Sequence, residues 1–392
     1  MARRQGAYRY RCRMPAWTVP LADVSVPEDD IAAVADVYRS GWLSMGPQTE
    51  AFEADFAAYS GARHAFAVAN GTAALHLICL AAGLGPGDEA VVPSMTFVAT
   101  VNAIAYTGAT PVFAEIAGLT EPWLDAEAAA AAITPRTKAI VNMTYGGHPG
   151  HTLALRDLAD ARGLVLLEDS AHAVGSWLGD RHLGTFGLAG AFSFFSNKNL
   201  AVGEGGMVVT GDDDAAARIR LLRSHGMTTL TWDRHRGHAS GYDVVDLGFN
   251  YRIDEPRSAL ARRRLERLDA ENAERGRLDA RYRELLAGVD GVTPALPDAD
   301  GDRLAHHLFT VVLDDDVDRP RFRERLAERG IQTSVHYPPV HSFSIYAGAT
   351  ELPLTEAYAR RSVTLPLFAA MTDAQQDEVV AAIHSALDVA VA

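Results

Sequence analysis

Short apolar runs alternate with amphipathic stretches over the first two thirds of the chain. The runs are rich in the residue types typical of strands, and the stretches between them repeat apolar positions with a helical period. Strands are predicted at 64–69, 89–92, 110–114, 138–142, 164–168, 191–195 and 206–210, and helices at 71–82, 97–107, 126–133 and 152–162. Strands joined by crossover helices pair in parallel, so we expect a large α/β domain with a mostly parallel central sheet.

Further helical patterns flank this domain. Amphipathic helices are predicted before it, at 27–40 and 48–59. One long helix is predicted over 257–286, because leucines and a tyrosine form an apolar stripe along it. Its arginines are interleaved with acidic residues, which indicates a solvated or salt-bridged face. The C-terminal part is expected to be a small α+β domain, with a strand at 308–313 and helices at 319–329 and 373–387.

These patterns divide the chain into three parts. Residues 1–20 are expected to be a frayed, basic tail, since their arginines are followed by no apolar run of the kind a secretory signal needs. Residues 21–255 are expected to form the large domain with its N-terminal helices. Residues 256–392 are expected to supply the connecting helix and the small domain.

Composition narrows the class of protein. Of 392 residues, 48% are hydrophobic and 22% charged, which is typical of a soluble globular enzyme and excludes a disordered chain. No apolar run approaches the ~20 residues of a membrane span. The net charge of −14 argues against a nucleic-acid partner. The two cysteines, Cys12 and Cys79, argue against a disulfide framework or an iron–sulfur cluster, and the cytoplasm is the default location.

Lysine is scarce in this chain. Only Lys138 and Lys198 occur among 36 basic residues. Lysine can lose its proton and form an imine, and arginine can do neither, so a retained lysine is a candidate for chemistry. Lys198 follows an apolar strand and precedes a glycine-rich turn, which suits a Schiff-base lysine or a lysine whose amine reaches solvent at a strand end. Lys138 follows turn residues and is expected to be a surface charge.

Two adjacent carboxylates, Glu168 and Asp169, end another apolar run. Ligand sites of parallel sheets lie at this carboxyl edge. An acid there can keep a pyridine nitrogen protonated, which makes pyridoxal an electron sink. His172 could bond the phenolic oxygen of such a cofactor. The alternatives are a helix cap for Asp169 and a core histidine for His172.

A strand also meets a helix at Asn-Gly-Thr-Ala-Ala-Leu, residues 70–75. Amides at a helix start bind phosphate, and Thr72 adds a hydroxyl, although an ordinary capped helix explains Gly71 and Thr72 equally well. Phe97 follows the next strand, where it could stack on a cofactor ring or lie in the core. No metal site is expected, because the histidines at 306–307 and at 336 and 341 lack further ligands at suitable spacing.

Together these motifs resemble the DegT/DnrJ/EryC1/StrS family of PLP-dependent (fold type I) sugar aminotransferases. The resemblance covers about residues 20 to 388. It rests on eight motifs in order, at 70–75, 93–97, 168–172, 193–198, 203–206, 248–252, 335–341 and 365–368. Two features depart from the family pattern: the pair at 256–257 is Pro-Arg, and the basic tail has no family counterpart.

The resemblance implies a role for each matching residue. Lys198 matches the Schiff-base lysine and Asp169 the partner of the pyridine nitrogen. His172 is expected near the phenolic oxygen and Phe97 against the ring. The implied phosphate contacts are Gly71, Thr72, Ser193 and, from the other subunit of a homodimer, Asn250. His336 and Tyr337 are expected to line the nucleotide-sugar pocket.

The implied reaction is a ping-pong transamination from L-glutamate to a nucleotide-linked keto-sugar. A TDP-4-keto-deoxyhexose or a 4-keto-pentose, from deoxyaminosugar or antibiotic biosynthesis, is the expected acceptor. The cofactor would alternate between its pyridoxal (PLP) and pyridoxamine (PMP) forms. The enzymatic alternatives are a cyclitol-ketone aminotransferase and a PLP-dependent sugar dehydratase, and the retained Lys198 speaks against the dehydratase. A PLP-binding regulator is disfavoured, since about 20 residues before the fold are too few for a DNA-binding module.

Overall fold

The computed structural model describes residues 17–229, 231–235, 237, 241–297, 301–348 and 350–387. Its N-terminal part contains nine strands, and each predicted strand is present to within two residues at either end. They are β1 (His64–Val68), β2 (Glu89–Pro93), β3 (Thr110–Ala114), β4 (Thr137–Met143), β5 (Val165–Asp169), β6 (Trp177–Leu178), β7 (Arg181–His182), β8 (Ala189–Ser193) and β9 (Gly206–Thr210). The short hairpin β6–β7 was not predicted.

Seven of these strands form one sheet in the order β1-β9-β8-β5-β4-β2-β3. All its pairs are parallel except those of β9, which runs antiparallel to both of its neighbours. The predicted α/β fold with a mostly parallel sheet is therefore confirmed. Six strands run in the same direction, so their carboxyl ends, and the loops that follow them, lie along one edge.

The sheet is covered by helices on both faces. Successive strand residues point to opposite sides, so Val91, Ile140 and Leu166 pack into one apolar cluster. Their neighbours along the strands, including Ala90 and Leu167, pack into another. A sheet buried on both faces needs apolar residues throughout, which explains why its strands appear as continuous apolar runs in the sequence.

Ten helices accompany these strands. They are α1 (Glu28–Ser40), α2 (Pro47–Ser60), α3 (Gly71–Ala81), α4 (Val98–Tyr106), α5 (Ala126–Ala132), α6 (Thr152–Arg162), α7 (Asp213–Leu222), α8 (Thr231–His235), α9 (Glu255–Leu265) and α10 (Leu268–Leu286). Of these, α7 and α8 were not predicted. Asn70, Asp125, Asp212 and Asp254 each accept a hydrogen bond from the third residue beyond, which caps α3, α5, α7 and α9.

The single long helix predicted over 257–286 is wrong, because the chain divides it into α9 and α10. The break falls at 266–267, where Arg267 has φ −111° and ψ 0°. Leu268 packs against the large sheet, whereas Leu278 and Tyr282 belong to a different core. One straight helix cannot serve both cores. Arg267 holds the junction by donating two hydrogen bonds, of 2.8 and 2.6 Å, to the carboxylate of Asp30 in α1.

The C-terminal part forms a second, smaller core. Its sheet has the order β10-β11-β12, with all pairs antiparallel. The elements are β10 (Val292–Pro294), β11 (Phe309–Leu313), α11 (Arg319–Glu328), α12 (Pro353–Arg361), β12 (Ser362–Leu365) and α13 (Asp373–Leu387). Of these, β10, α12 and β12 were not predicted.

The frayed tail predicted for residues 1–20 extends too far. Residues 1–16 lie outside the described residues. Val19, however, is fully buried and forms a parallel bridge with Ile331. It packs in the smaller, C-terminal core, so the segment around Val19 contributes to the C-terminal part of the fold. None of the described helices is both long and apolar enough to cross a membrane.

Candidate active site

Asp169 ends β5 at the carboxyl edge of the sheet. Its Oδ2 accepts a hydrogen bond of 2.6 Å from Thr100 in α4, and its Oδ1 accepts one of 3.1 Å from the amide of Ala171. The side chain is 2% exposed. Burial raises the pKa of its carboxyl, against the opposing effects of Thr100, Ala171 and Lys198. Within the described residues Asp169 forms no ion pair, which leaves a buried carboxylate available to a cation.

Glu168 faces the other side of the same strand and has a structural role. Its carboxylate accepts hydrogen bonds from the amides of Gly184, Phe186 and Gly187, at 2.8, 2.6 and 2.8 Å. These bonds fix the turn that leads into β8. Alternation along the strand therefore assigns one acid to the turn and the other to the edge where the site lies.

Lys198 follows β8 in the next loop along this edge and is half-buried. Burial lowers the pKa of its amine to about 8, and the nearby Asp169 carboxylate partly opposes that shift. Near neutral pH more of this amine is therefore unprotonated than in an ordinary lysine, and imine formation requires the unprotonated form. Lys138, by contrast, lies at the surface and pairs with Asp88 at 2.9 Å, as predicted.

His307 lies beside Lys198, with Nε2 3.5 Å from Nζ. Its tautomer follows from a chain of amides. Asn272 donates to the carbonyl of Val174 at 3.0 Å, so its Oδ1 accepts from Asn199 at 2.7 Å. Asn199 thus presents Oδ1 to His307 Nδ1, at 2.9 Å. Nδ1 carries the proton, and Nε2 offers a lone pair to the lysine amine.

His172 and Tyr337 form a second pair at the site. The amide of Gly146 donates to Nδ1 of His172 at 3.2 Å, so the ring proton is on Nε2, which lies 2.9 Å from the hydroxyl of Tyr337. Burial, and then the charge of Lys198, lower the pKa of His172 well below its usual value. The site therefore holds this imidazole in its neutral form.

His336 and Phe97 complete the wall around Tyr337. His336 is buried, lies 2.9 Å from the hydroxyl of Thr364 through Nδ1, and has a pKa lowered to about 4 by burial. Its carbonyl accepts a hydrogen bond from Tyr145. Phe97 precedes α4, is 54% exposed and has its ring centroid 5.7 Å from that of Tyr337. It is not a core residue, so its ring face remains open to a ligand.

The start of α3 is pressed against the end of β8. A Cβ added at Gly71 would lie 2.8 Å from Cβ of Ser193, so only glycine fits here. Asn70 caps the helix through the amide of Ala73, at 2.8 Å. The amides of Gly71 and Thr72, like those of any first helical turn, have no partner within the helix. The predicted phosphate contacts Gly71, Thr72 and Ser193 are thus brought together.

Asn250 forms no side-chain hydrogen bond with the other predicted site residues in the part of the chain that the structure describes. It is exposed and forms an isolated bridge with Ser224. Its neighbour Tyr251 accepts a hydrogen bond of 2.8 Å from the amide of Ala69, just before the helix start at Gly71. The described residues show no side-chain contact between Asn250 and the other site residues of its own chain.

These residues fit a phosphorylated pyridine aldehyde. The buried carboxylate of Asp169 matches a protonated ring nitrogen, and the weakly basic amine of Lys198 matches the aldehyde. The helix start at Gly71 offers amides to a phosphate. No group of three or more metal-ligating side chains occurs among the described residues.

Comparison with known proteins identifies the family of this chain. A family described as the DegT/DnrJ/EryC1/StrS aminotransferase family matches residues 25–384. The chain belongs to this family. DegT/DnrJ/EryC1/StrS enzymes are PLP-dependent sugar aminotransferases, so the predicted fold, enzyme class and cofactor are confirmed.

Individual relatives match over most of their length. The spore coat polysaccharide biosynthesis protein SpsC of Bacillus subtilis (strain 168) is 40% identical over 370 residues, which are 92% of this chain and 94% of SpsC. The structure of S. venezuelae DesV in complex with a ketimine intermediate is 40% identical, covers 91% of this chain and 94% of its own, and has a TM-score of 0.84. The sugar aminotransferase CalS13 from Micromonospora echinospora is 31% identical, covers 94% and 99%, and has a TM-score of 0.86.

Three residues of this DegT-family site carried no sequence signal strong enough to predict them. Thr100 is 69 positions from the Asp169 that it bonds, and His307 is 109 positions from Lys198. Asn199 directly follows the lysine, where an amide is a common turn residue. Only Thr100 could have been suspected from the sequence, because it lies one helical turn after Phe97, the last residue of the motif at 93–97.

Proposed function

We propose that this enzyme transfers the amino group of L-glutamate to a nucleotide-linked keto-sugar, a TDP-4-keto-deoxyhexose or a 4-keto-pentose, in deoxyaminosugar or antibiotic biosynthesis. The observation that carries the proposal is the position of Lys198. Its amine has a pKa lowered to about 8 and lies among Asp169, His307 and a wall of neutral imidazoles and aromatic rings. Lysines able to exchange imines need such an environment. The proposal places the enzyme in the cytoplasm, which the low cysteine content supports.

Besides Lys198, six residues of the same chain would hold the cofactor in this proposal. Asp169 would keep its ring nitrogen protonated, and the protonated ring supplies an electron sink for the charge that develops at the donor's α-carbon. His172 would lie beside the phenolic oxygen together with Tyr337, whose hydroxyl is 2.9 Å from Nε2 of His172, and Phe97 would cover the ring. Gly71, Thr72 and Ser193 would bind the phosphate.

Lys198 would move the proton. In its neutral form the amine can take the proton from the donor's α-carbon and deliver it to the carbon that carried the aldehyde. A pKa near 8 suits both steps, because the group is neither locked as an ammonium nor too weak a base at neutral pH. His307 would orient the amine through its Nε2 lone pair.

The acceptor sugar would lie against His336 and Tyr337. Burial keeps His336 neutral, with a pKa lowered to about 4, so it offers a polar edge without a charge. Tyr337 presents a hydroxyl held by His172 and a ring beside Phe97. Pockets for small molecules are typically lined by apolar and aromatic side chains, with a few polar groups that fix the orientation of the ligand.

We also propose that the enzyme is a homodimer in which Asn250 reaches the partner's phosphate site. The segment before Asn250 exposes four large apolar side chains. They are Tyr242, Val244, Val245 and Leu247, which are 57%, 54%, 56% and 90% exposed. Such a cluster is costly to leave in water and is typical of an interface. A second copy of the chain would cover it.

The experiment that tests the reaction begins with an absorbance spectrum of the PLP-loaded protein, before and after addition of L-glutamate. We expect a visible Schiff-base band that bleaches as the pyridoxamine form accumulates. Lys198→Ala should lose both the band and turnover. Lys138→Ala, which removes the chain's other lysine, should keep both. Absence of the band in the wild-type protein would exclude the proposed role of Lys198.

The acceptor is then identified with the pyridoxamine form. A panel of TDP-4-keto-hexoses, TDP-4-keto-pentoses and a cyclitol ketone is offered, and the amino product is detected by mass. We expect the nucleotide sugars to be aminated. Turnover of only the cyclitol ketone, or loss of the sugar hydroxyl without amination, would replace the proposed substrate with the cyclitol or the dehydratase alternative.

A further inference from the structure

A cavity of about 220 Å³ opens beside Lys198, between its loop, the start of the chain and the helices α9 and α10. The charged groups of its wall are Asp23, Lys198, Arg264, Glu271 and Arg275. The cofactor and sugar contacts proposed above leave this cavity without a role, although Lys198 forms part of its wall.

Arg275 is the unusual member of this wall. Its side chain is buried, with 6% exposure. It donates one hydrogen bond, of 3.0 Å, to the carbonyl of Leu367, and it forms no ion pair with any described residue. Burial lowers the pKa of its guanidinium to about 10, with Glu271 opposing. A buried guanidinium is expected to be paired, because removing an unpaired charge from water is unfavourable.

The acids of the wall do not supply this pairing. Glu271 accepts a hydrogen bond of 2.8 Å from Nε of Arg267, and Asp23 is exposed and accepts the amide of Val24 at 2.9 Å. Arg264, the other arginine of the wall, donates to the carbonyl of Ser25 at 2.9 Å and forms an ion pair with Asp30, with Nε 3.4 Å from Oδ2. Arg275 is therefore the arginine of this wall that has no ion pair with a described residue.

We propose that this cavity binds a carboxylate of the amino-acid donor, with Arg275 as its principal contact. The inference rests on the proposed transamination, which requires such a donor. A guanidinium matches a carboxylate through two parallel N–H donors. The cavity is smaller than the roughly 300–1,000 Å³ of pockets for larger ligands, so it suits one amino acid and not a nucleotide sugar. Lys198 lines the same cavity, so a donor held there lies beside this residue.

The test separates the two halves of the reaction. The PLP-loaded enzyme is mixed with L-glutamate alone, and bleaching of the visible band is followed at increasing donor concentration. Arg275→Gln should raise the half-saturating glutamate concentration on the order of 10- to 100-fold. Arg277→Gln, on the exposed side of the same helix, is the matched control and should not change it. The rate at which the PMP form aminates a keto-sugar should be the same in both variants.

Binding without turnover gives a second readout. Glutarate, which has the carboxylates of glutamate but no amino group, is titrated calorimetrically into the PLP-loaded enzyme. Arg275→Gln should weaken its binding by a similar factor, at an unchanged melting temperature. Arg275→Lys keeps the charge and should lose part of the affinity, which provides a test if the Gln variant does not fold.

Two results would overturn the proposal. One is that Arg275→Lys and Arg275→Gln both saturate with glutamate and bind glutarate as the wild-type enzyme does. The other is an equal loss in the donor and sugar half-reactions, which would indicate a structural role for Arg275. Failure of the proposed sugar substrate is distinct from both, because the glutamate half-reaction would then still proceed and respond to Arg275.

Discussion

His307 presents an unprotonated Nε2 to the amine of Lys198 at 3.5 Å, and Asn199 fixes that tautomer through Nδ1. The imidazole stays neutral because burial, the neighbouring His172 and the charge of Lys198 all lower its pKa well below the usual value. His307 is thus a hydrogen-bond acceptor for the amine of Lys198 and itself remains uncharged. A lone pair facing an ammonium stabilises the charged form, so His307 sets the basicity of Lys198 as well as its orientation.

Replacing His307 should shift the pH dependence of the proton-transfer step. In His307→Phe the acceptor is lost, the pKa of Lys198 falls further, and the acidic limb of the kcat profile moves to lower pH by about one unit. We expect kcat to fall on the order of 10- to 100-fold, since a hydrogen bond to a charged group contributes about 1.5–3 kcal/mol. The measurement is kcat against pH. His306→Asn is the control, and an unmoved limb in His307→Phe would show that the histidine only fills space.

Thr100 should control cofactor affinity through Asp169. Thr100→Val removes the donor 2.6 Å from Oδ2, which raises the pKa of the buried carboxyl and weakens its hold on a protonated ring nitrogen. The dissociation constant of PLP should rise on the order of tenfold. Titration of the unloaded protein with PLP measures it. Thr107→Val is the matched control, because its hydroxyl donates to the carbonyl of Ile104 in the same helix. Equal affinities of the two variants would contradict the expectation.

Glu255 should be a large contributor to stability outside the site. Its buried carboxylate accepts hydrogen bonds of 2.8, 2.8 and 2.9 Å from the amides of Gly46, Gln48 and Thr49 at the start of α2. Glu255→Gln places a donor against these donors, and the free energy of unfolding should fall by about 2–3 kcal/mol. Urea denaturation measures the change.

The control for this prediction is Glu266→Gln. That residue forms a surface ion pair with Arg263 at 2.5 Å, and such pairs contribute about 0–1 kcal/mol. If the two variants lose similar stability, the carboxylate of Glu255 does not cap α2 in the way its contacts indicate.

Stability should fall in mild acid. The buried His148, His182 and His336 have pKa values lowered to about 4, whereas imidazoles of the unfolded chain titrate near 6.5. The unfolded state therefore binds more protons as the pH falls through 6.5 toward 4. Stability is complete above about pH 6.5 and is lost below it, by about 1–2 kcal/mol for each histidine at pH 5.

Urea unfolding at pH 7.0, 6.0 and 5.0 measures this loss. Above pH 5 most unfolded-state carboxylates remain ionised, so the histidines are the main groups of the unfolded chain that take up protons in this range. A free energy of unfolding that is constant between pH 7.0 and 5.0 would show that these imidazoles are not buried in neutral form.

The proposed exchange of Asn250 between subunits predicts complementation. Lys198→Ala and Asn250→Asp should each be inactive as pure proteins, because one lacks the amine and the other repels the phosphate. Mixed and reassociated chains should recover about a quarter of wild-type activity, since about half of random dimers are mixed and each mixed dimer has one intact site.

Leu247→Glu supplies the matching test of assembly. A charge at this 90% exposed position should shift the enzyme from dimer to monomer in light scattering and lower its affinity for PLP.

If the Lys198→Ala and Asn250→Asp mixture stays inactive while wild-type dimers exchange subunits freely, Asn250 acts within its own chain.

The local elements, and the motifs that end them, could be predicted from the pattern of residues alone. Apolar runs bounded by helical patterns predicted the strands of the large sheet, because a sheet buried on both faces needs such runs. The sequence also placed Lys198, Asp169 and His172 just beyond strand ends. Parallel strands bring those ends to one edge, so residues that are distant in sequence are expected to lie close together there.

Which side chains meet across that edge depends on how the elements pack, and it could not be predicted from the sequence. The helix predicted over 257–286 breaks because its two halves pack against different cores. His307 reaches Lys198, and Arg275 enters the cavity beside it, from elements about 80 to 110 residues further along. Periodicity reports the face on which a residue lies and carries no information about the partner on the opposing element. The strand motifs were therefore predictable, whereas the groups that tune the lysine were set by packing between elements that are distant in sequence.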